Sequence, residues 1–199
     1  LPSGGSVRDR IAPPAEAIQL LGAISRTDER AIYATAFFAG LRRGELMALR
    51  WENLDLVNRT IKVTQAYDPS TQRFVDPKSK AGFRSLGIPE LLVPYLAALD
   101  TTDGLVFRGA RGGPFSDTTL ADHVTPEWEA AGLTRIGLHE ARHTYASLMI
   151  AADVNIKTIS EWMGHSSVNI TLDRYGHLLP GSAAAALGLL NEFLAGELS

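Results

Sequence analysis

LHEARHTYASLMIAADVNIKTISEWMGHSSVNITLDRYGH, residues 138–177, is the stretch from which the rest of the chain has to be read. It holds four of the five histidines (His139, His143, His165 and His177) together with Arg142, Arg174 and Tyr175. A plain core segment does not carry that much polar chemistry. Wound as a helix, its first part sets His139 and Arg142 on one face, beside an apolar stripe of Leu138, Ala141, Tyr145, Leu148 and Met149. His139 and Arg142 can then converge on one small anion. The same letters, His139-Glu140-Ala141-Arg142-His143, also spell H-E-x-x-H, in which two histidines one turn apart hold zinc and the glutamate activates water. Such a site needs a third zinc ligand, for which Glu161 and His165 can be nominated. An anion clamp and a zinc hydrolase therefore compete, and residues elsewhere must decide.

The 199 residues, 45% of them apolar, suffice for a sizeable packed domain. With no cysteine, disulfides, thiolate metal sites and thiol nucleophiles are excluded. No run approaches the roughly 18 apolar residues of a membrane span. The net charge of −3 argues against tight non-specific nucleic-acid binding, yet a few clustered arginines can dominate the field inside a cleft. There is no G-x-G-x-x-G or G-x-x-x-x-G-K-[ST] loop, so ATP use is not expected. The opening LPSGGSVRDR has neither an initiator Met nor a signal-peptide apolar region and reads as a flexible lead-in to a fragment of a longer protein.

Pro13 and Pro14 open a helix over 15–24, and Thr27-Asp28-Glu29-Arg30 looks like the capped entry to a second helix ending at Phe38. Gly40-Leu41-Arg42-Arg43-Gly44-Glu45-Leu46 is a glycine-flanked turn that delivers two arginines to the mouth of a third helix ending near Arg50. Strand alternation follows at Thr60-Ile61-Lys62-Val63-Thr64. Residues 73–76 and 84–88 are expected to pair as a hairpin around Lys78-Ser79-Lys80-Ala81-Gly82. Helices are expected over 89–99, over 116–132 with Ser116 as cap, and over 182–198, the last with Leu187, Leu190 and Leu194 on one face.

Arg42, a hairpin lysine, His139-x-x-Arg142, Gly164-His165 and Arg174-Tyr175, in that order, resemble the catalytic domain of tyrosine recombinases, the phage-integrase family. The box around Arg42 looks like that of the family's first arginine, and Leu138-His139-Glu140-Ala141-Arg142-His143-Thr144 resembles its H-x-x-R box. Trp162-Met163-Gly164-His165 resembles the box of the second histidine, and Leu172-Asp173-Arg174-Tyr175-Gly176-His177 the nucleophile box. The resemblance implies a mainly α fold with a small antiparallel three-stranded β-sheet. It implies a catalytic domain over 13–180, preceded by a linker (1–12) to a core-binding domain outside this chain. The helix in 181–199 is expected to dock on its own domain or on a neighbouring protomer.

The implied chemistry is the cutting and rejoining of double-stranded DNA through a 3'-phosphotyrosine, with neither metal nor ATP. Tyr175 is the nucleophile. A phenol of pKa about 10 is ionised in only about one molecule in a thousand at pH 7, a handicap of roughly 4 kcal/mol. His139 would take its proton, Arg42 and Arg142 would grip the phosphate, and His165 would add a hydrogen bond. Lys80 or Lys78 would protonate the departing 5'-oxygen. Glu45 fits a role orienting an arginine, and His143 a supporting one. His177 reads as a surface or hinge residue, His123 stands apart from every motif, and Tyr145 and Trp162 read as packing residues. The family further implies a homotetramer on two DNA duplexes and a cytoplasmic protein, associated with the nucleoid when bound to DNA. A topoisomerase or resolvase using the same chemistry, and a non-catalytic DNA-binding relative, stand beside this reading. The boxes leave open whether Tyr175 sits in the cleft or is held away from it.

Overall fold

The computed structural model describes residues 10–77, 79–179, 187–188, 190–192 and 195. Three helices come first: α1 (Pro14–Ala23), α2 (Thr27–Ala39) and α3 (Arg43–Ala48). Pro14 suits the first turn of α1, where no intrahelical N–H is needed. α2 is the central helix. All its residues from 31 to 39 are buried, as an all-round apolar helix requires. Its N-cap is Arg26 rather than Thr27, and no side chain caps it; Asp28 and Glu29 in the first turn meet the positive end of the helix dipole instead. It ends at Gly40, whose φ of 62° favours glycine and where a Cβ would run into the Tyr145 ring.

The strands are β1 (Leu54–Asp55), β2 (Thr60–Val63), β3 (Ala66–Asp68), β4 (Arg73–Val75) and β5 (Arg84–Gly87). The expected three-stranded antiparallel sheet is present in the order β1-β2-β5. The expected hairpin is not. β4 pairs with β3 in a separate two-stranded ribbon, while β5 pairs with β2, setting Leu86 opposite Ile61 and Arg84 opposite Val63. The reason is local at one end and tertiary at the other. Asp68 accepts from the Ser70 backbone N–H at 2.9 Å and Gln72 takes φ 54°, so the chain reverses at once and β4 returns along β3. Pro77 then removes a ladder donor. β5 goes to β2 because that register buries Leu86 and Ile88 with Ile61 and Val63.

Beyond the sheet, a 3-10 turn at Glu90–Leu92 leads into α4 (Val93–Ala97), shorter than the helix expected over 89–99. Pro94 is tolerated only in a first turn, which fixes where this helix can begin. α5 (Asp117–Ala130) starts at Ser116, whose Oγ accepts from Thr119 N at 3.2 Å, as anticipated. Trp128 of α5 donates Nε1–H to Leu20 O at 2.9 Å and meets the Tyr33 ring edge-on at 5.0 Å, locking α5 to α1 and α2. Then come α6 (Leu138–Ala151), α7 (Ile156–Trp162) and α8 (Val168–Tyr175).

α6 packs on α2 and joins two cores. Leu138 and Ala141 belong to the main one. Tyr145, Ala146 and Ile150 belong to a smaller one with Ile159, Met163 and Tyr175. Residues 187, 188, 190–192 and 195 are helical, with Leu187 and Leu190 exposed. The remainder of the expected C-terminal helix, Leu194 included, lies outside the described residues, as do residues 1–9 and Lys78. No described helix is long and apolar enough to cross a membrane.

Candidate active site

Two glutamates start the assembly by the same device. Glu45, at the third position of α3, reaches back to the Arg42 backbone N–H at 2.8 Å; Glu140, at the third position of α6, reaches back to Gly137 N–H at 2.6 Å. Glu140 is thereby spent on capping. Glu45 has a second task. Its Oε1 accepts from Arg42 Nη1 at 2.9 Å, and both its oxygens accept from the two ends of the Arg84 fork, each at 2.8 Å. Burial, the largest influence, pushes the Glu45 carboxyl up, but the Arg84 hydrogen bonds and charge, with Arg142 and Arg42 behind them, hold it down at about 2. Of the paired arginines of the turn, Arg43 pairs with Asp117 at 3.0 Å on the surface, and Arg42 turns inward.

Backbone carbonyls finish the clamp. Arg42 Nη2 donates to Gly164 O at 2.7 Å, Arg84 Nε donates to Trp162 O at 2.6 Å, and the Arg142 fork donates to Gly40 O and Met163 O. Arg142 is buried, and burial first, then the charge of Arg42, bring its pKa down to about 9, which still leaves it charged at neutral pH. Gly164 has φ +63°, and a Cβ there would lie 2.7 Å from Arg84 Nη1 and 3.0 Å from Arg42 Nη1. Only glycine lets both guanidinium groups close on this turn. Three guanidinium charges against the Glu45 carboxylate leave a surplus of two positive charges in a chain whose net charge is −3.

α8 positions the other two groups. Thr171 and Tyr175, one turn apart, share its inward face and are buried. Thr171 Oγ1 meets His165 Nδ1 at 2.8 Å, while His165 Nε2 faces Arg142 Nη2 at 3.4 Å. Burial, then Arg142, Arg42, Arg84 and Arg174, depress His165 to about 4, so it is a neutral imidazole at pH 7. With an N–H of Arg142 pointing at it, Nε2 is the acceptor and Nδ1–H donates to Thr171. Tyr175 is 2% exposed, and its hydroxyl lies 2.5 Å from His143 Nδ1. His143 Nε2 in turn lies 3.0 Å from Nε2 of the exposed His139.

Of the sequence-selected residues, Arg42, Arg142 and His165 therefore share one cluster, and His139 reaches Tyr175 through His143. Lys80 is exposed on a 3-10 turn, Lys80–Gly82. Neighbouring Ser79 and Gly82 border a cleft of about 550 Å³ that Arg42, Glu45 and Gly164 also line, so Lys80 stands at the rim of the cleft. Lys78 lies outside the described residues. The zinc reading of H-E-x-x-H lacks its donor set. Glu140 caps Gly137, His143 faces Tyr175, and among the described residues no three metal-ligating side chains converge. Sequence reasoning passed over Arg84 and Thr171. Arg84 had one signal: it falls on the same side of β5 as the buried Leu86.

Fold and site together define a class: a mainly helical domain with a cluster of three arginines around a buried carboxylate, next to a buried tyrosine at the end of α8. The chain belongs to the phage integrase family, whose signature matches residues 13–181. A tyrosine recombinase XerC-like protein of Caldanaerobacter subterraneus subsp. tengcongensis is 30% identical over 191 residues, which cover 82% of this chain and 49% of that protein. The ICEBs1 integrase of Bacillus subtilis is 29% identical over 180 residues, covering 83% and 49%. This chain thus spans about half the length of the curated relatives it matches. Among solved structures, a Tn1549 transposon integrase in complex with circular intermediate DNA gives a TM-score of 0.77 at 19% identity, over 96% of this chain and 68% of that one. XerA recombinase gives 0.69 at 23%, over 96% and 66%. The tyrosine recombinase catalytic fold expected from the sequence is the fold observed.

Proposed function

We propose that this chain carries the strand-transfer chemistry of a site-specific DNA recombinase or integrase. The observation that carries the reading is the convergence of Arg42, Arg142 and His165 on one turn, with Tyr175 on the adjoining helix. Relatives named tyrosine recombinase and integrase, and the DNA-bound integrase of the same fold, support it. Arg42 and Arg142 hold the non-bridging oxygens of one phosphodiester, and their planar forks match the charge that builds on them in the transition state. The Tyr175 hydroxyl loses its proton towards His139, its oxygen bonds to phosphorus, and the bond from phosphorus to the 5'-oxygen breaks. Lys80, or Lys78, gives that oxygen a proton. The 3'-phosphotyrosine keeps the bond energy, so a 5'-hydroxyl of a second strand can reverse the step without ATP.

The domain reading belongs here too: residues 13–180 as the catalytic unit, 1–12 as a linker to a core-binding domain, and 181–199 as a segment that docks on its own domain or on a neighbouring protomer. Assembly as a homotetramer on two duplexes, in the cytoplasm at the nucleoid, follows from the same reading. A suicide DNA substrate, which loses a short 5'-ended fragment on cleavage, tests it. Wild-type protein should be trapped as a covalent adduct and Tyr175→Phe should give none. An adduct formed by the Phe variant would show that another residue is the nucleophile. Relaxation of supercoils without exchange between two sites would assign the chemistry to a topoisomerase.

A further inference from the structure

Tyr175 contacts the second imidazole of α6, not simply the one its motif assigns as base. The residue is buried in one cluster with Tyr145, Ile150, Ile159 and Met163, and its hydroxyl lies 2.5 Å from His143 Nδ1. A buried phenol resists ionisation, because the phenolate would lose its water, so its proton must leave through a group already in contact. His143 is itself buried, and its far nitrogen, Nε2, lies 3.0 Å from Nε2 of exposed His139, the rings crossing at 83°. Arg142 lies close enough that its charge and that of Tyr175 influence each other, and Arg174 precedes the tyrosine on α8.

We propose that His143 is the direct proton partner of Tyr175 and, with His139, forms a two-imidazole relay from the buried hydroxyl to the cleft. The relay rests on the reading of Tyr175 as nucleophile. In the resting state the Tyr175 O–H donates to His143 Nδ1, and His143 Nε2–H donates to His139 Nε2. Activation moves one proton along each bond. The phenolic O–H breaks as N–H forms at His143 Nδ1; the His143 Nε2–H breaks as N–H forms at His139 Nε2. His143 ends neutral in its other tautomer and donates to the new phenolate. The positive charge sits on His139, at the exposed end of the relay and one turn from Arg142.

The test combines a cleavage series with a measurement that needs no cleavage. His143→Asn keeps an acceptor near the Nδ1 position but cannot pass a proton on. It should bind DNA as the wild type does, form the suicide-substrate adduct on the order of 100-fold more slowly at pH 7, and regain rate steadily as pH rises towards the phenol's own range. His143→Phe should lose the adduct without regaining it. In the free wild-type chain, nitrogen NMR of the imidazoles should show His143 as the Nε2–H tautomer, with Nδ1 shifting when Tyr175 is replaced by Phe. A His143→Asn variant whose rate falls equally at every pH, or does not fall, overturns the relay. So does a protonated His143 Nδ1 that is indifferent to Tyr175→Phe. An adduct formed by Tyr175→Phe would instead sink the nucleophile assignment while leaving the NMR coupling intact.

Discussion

The arginine clamp and the tyrosine helix lie side by side but are held by different means. Arg42, Arg84 and Arg142 are fixed from both ends. The Glu45 carboxylate, held at about 2, neutralises part of their charge, and the carbonyls of Gly40, Trp162, Met163 and Gly164 take their forks. These donors and acceptors come from the turn between α2 and α3, from α3, β5 and α6, and from the end of α7 with the turn after it, so the clamp cannot open without disturbing how those elements pack. Tyr175 ends a helix of eight residues packed on the smaller core, with its hydroxyl 2.5 Å from His143 Nδ1. Preorganised charge stabilisation works only if it does not move during the reaction. On the proposed function, a nucleophile that crosses to the phosphate needs the opposite property.

The largest consequence of that contrast is in folding stability. Glu45→Gln leaves buried guanidinium groups without their counter-charge and should cost about 3–5 kcal/mol, the range for breaking a buried ionic network from one side. Tyr175→Phe, which removes the hydroxyl from His143 Nδ1, should cost about 1–2 kcal/mol while abolishing the adduct. Urea unfolding of both variants gives the comparison directly. Equal losses would mean that the tyrosine is as firmly built in as the clamp.

How far the sequence could be read follows the same division. Arg42, Arg142, His165 and Tyr175 stand in short local boxes, and helix spacing alone brings His139 and Arg142 to one face. Arg84 could not be found that way. It was expected to pair across to residues 73–76, and a lone strand arginine counts as solvated until register shows that it faces Val63 and the core. That register is set by which strand buries Leu86, a tertiary choice. His143 was legible as a residue but not as a contact of Tyr175. Two histidines one turn apart present themselves alike to a motif, and the distinction between them arises only when α8 packs against α6.

Acidification probes the clamp alone. Because the folded-state pKa of Glu45 is depressed from an ordinary 4.5 to about 2, its contribution is fully present above pH 4.5 and is lost as pH falls towards 2. The shift corresponds to about 3 kcal/mol. The acid limb of the stability curve should flatten by that amount in Glu45→Gln and stay unchanged in Tyr175→Phe. Hydrogen exchange examines the other side. Amides of α8 should open with a free energy on the order of 1 kcal/mol or more below those of α2, which has the main core on every side. Equal protection would contradict a movable nucleophile helix.

The smallest expected effect sits where the two regions meet, at His165. Burial and then Arg142 and its fellow arginines hold its pKa at about 4, and its Nε2 lone pair faces Arg142. A phosphodiester between Arg42 and Arg142 does not relieve the burial but counters the arginine part of that depression, since its negative charge offsets the arginines and its oxygen can accept an Nε2–H. The bound pKa should therefore rise. Binding is then tightened by protonation, in a window below the bound pKa and above about 4. If the bound value returns to an ordinary 6.5, affinity for DNA should increase about threefold between pH 7 and pH 6. His165→Ala should abolish that slope, whereas His139→Ala should leave it in place. An imidazole NMR titration with and without DNA gives the pKa itself, and a His165 midpoint unmoved by DNA would place the phosphate away from the turn at Gly164.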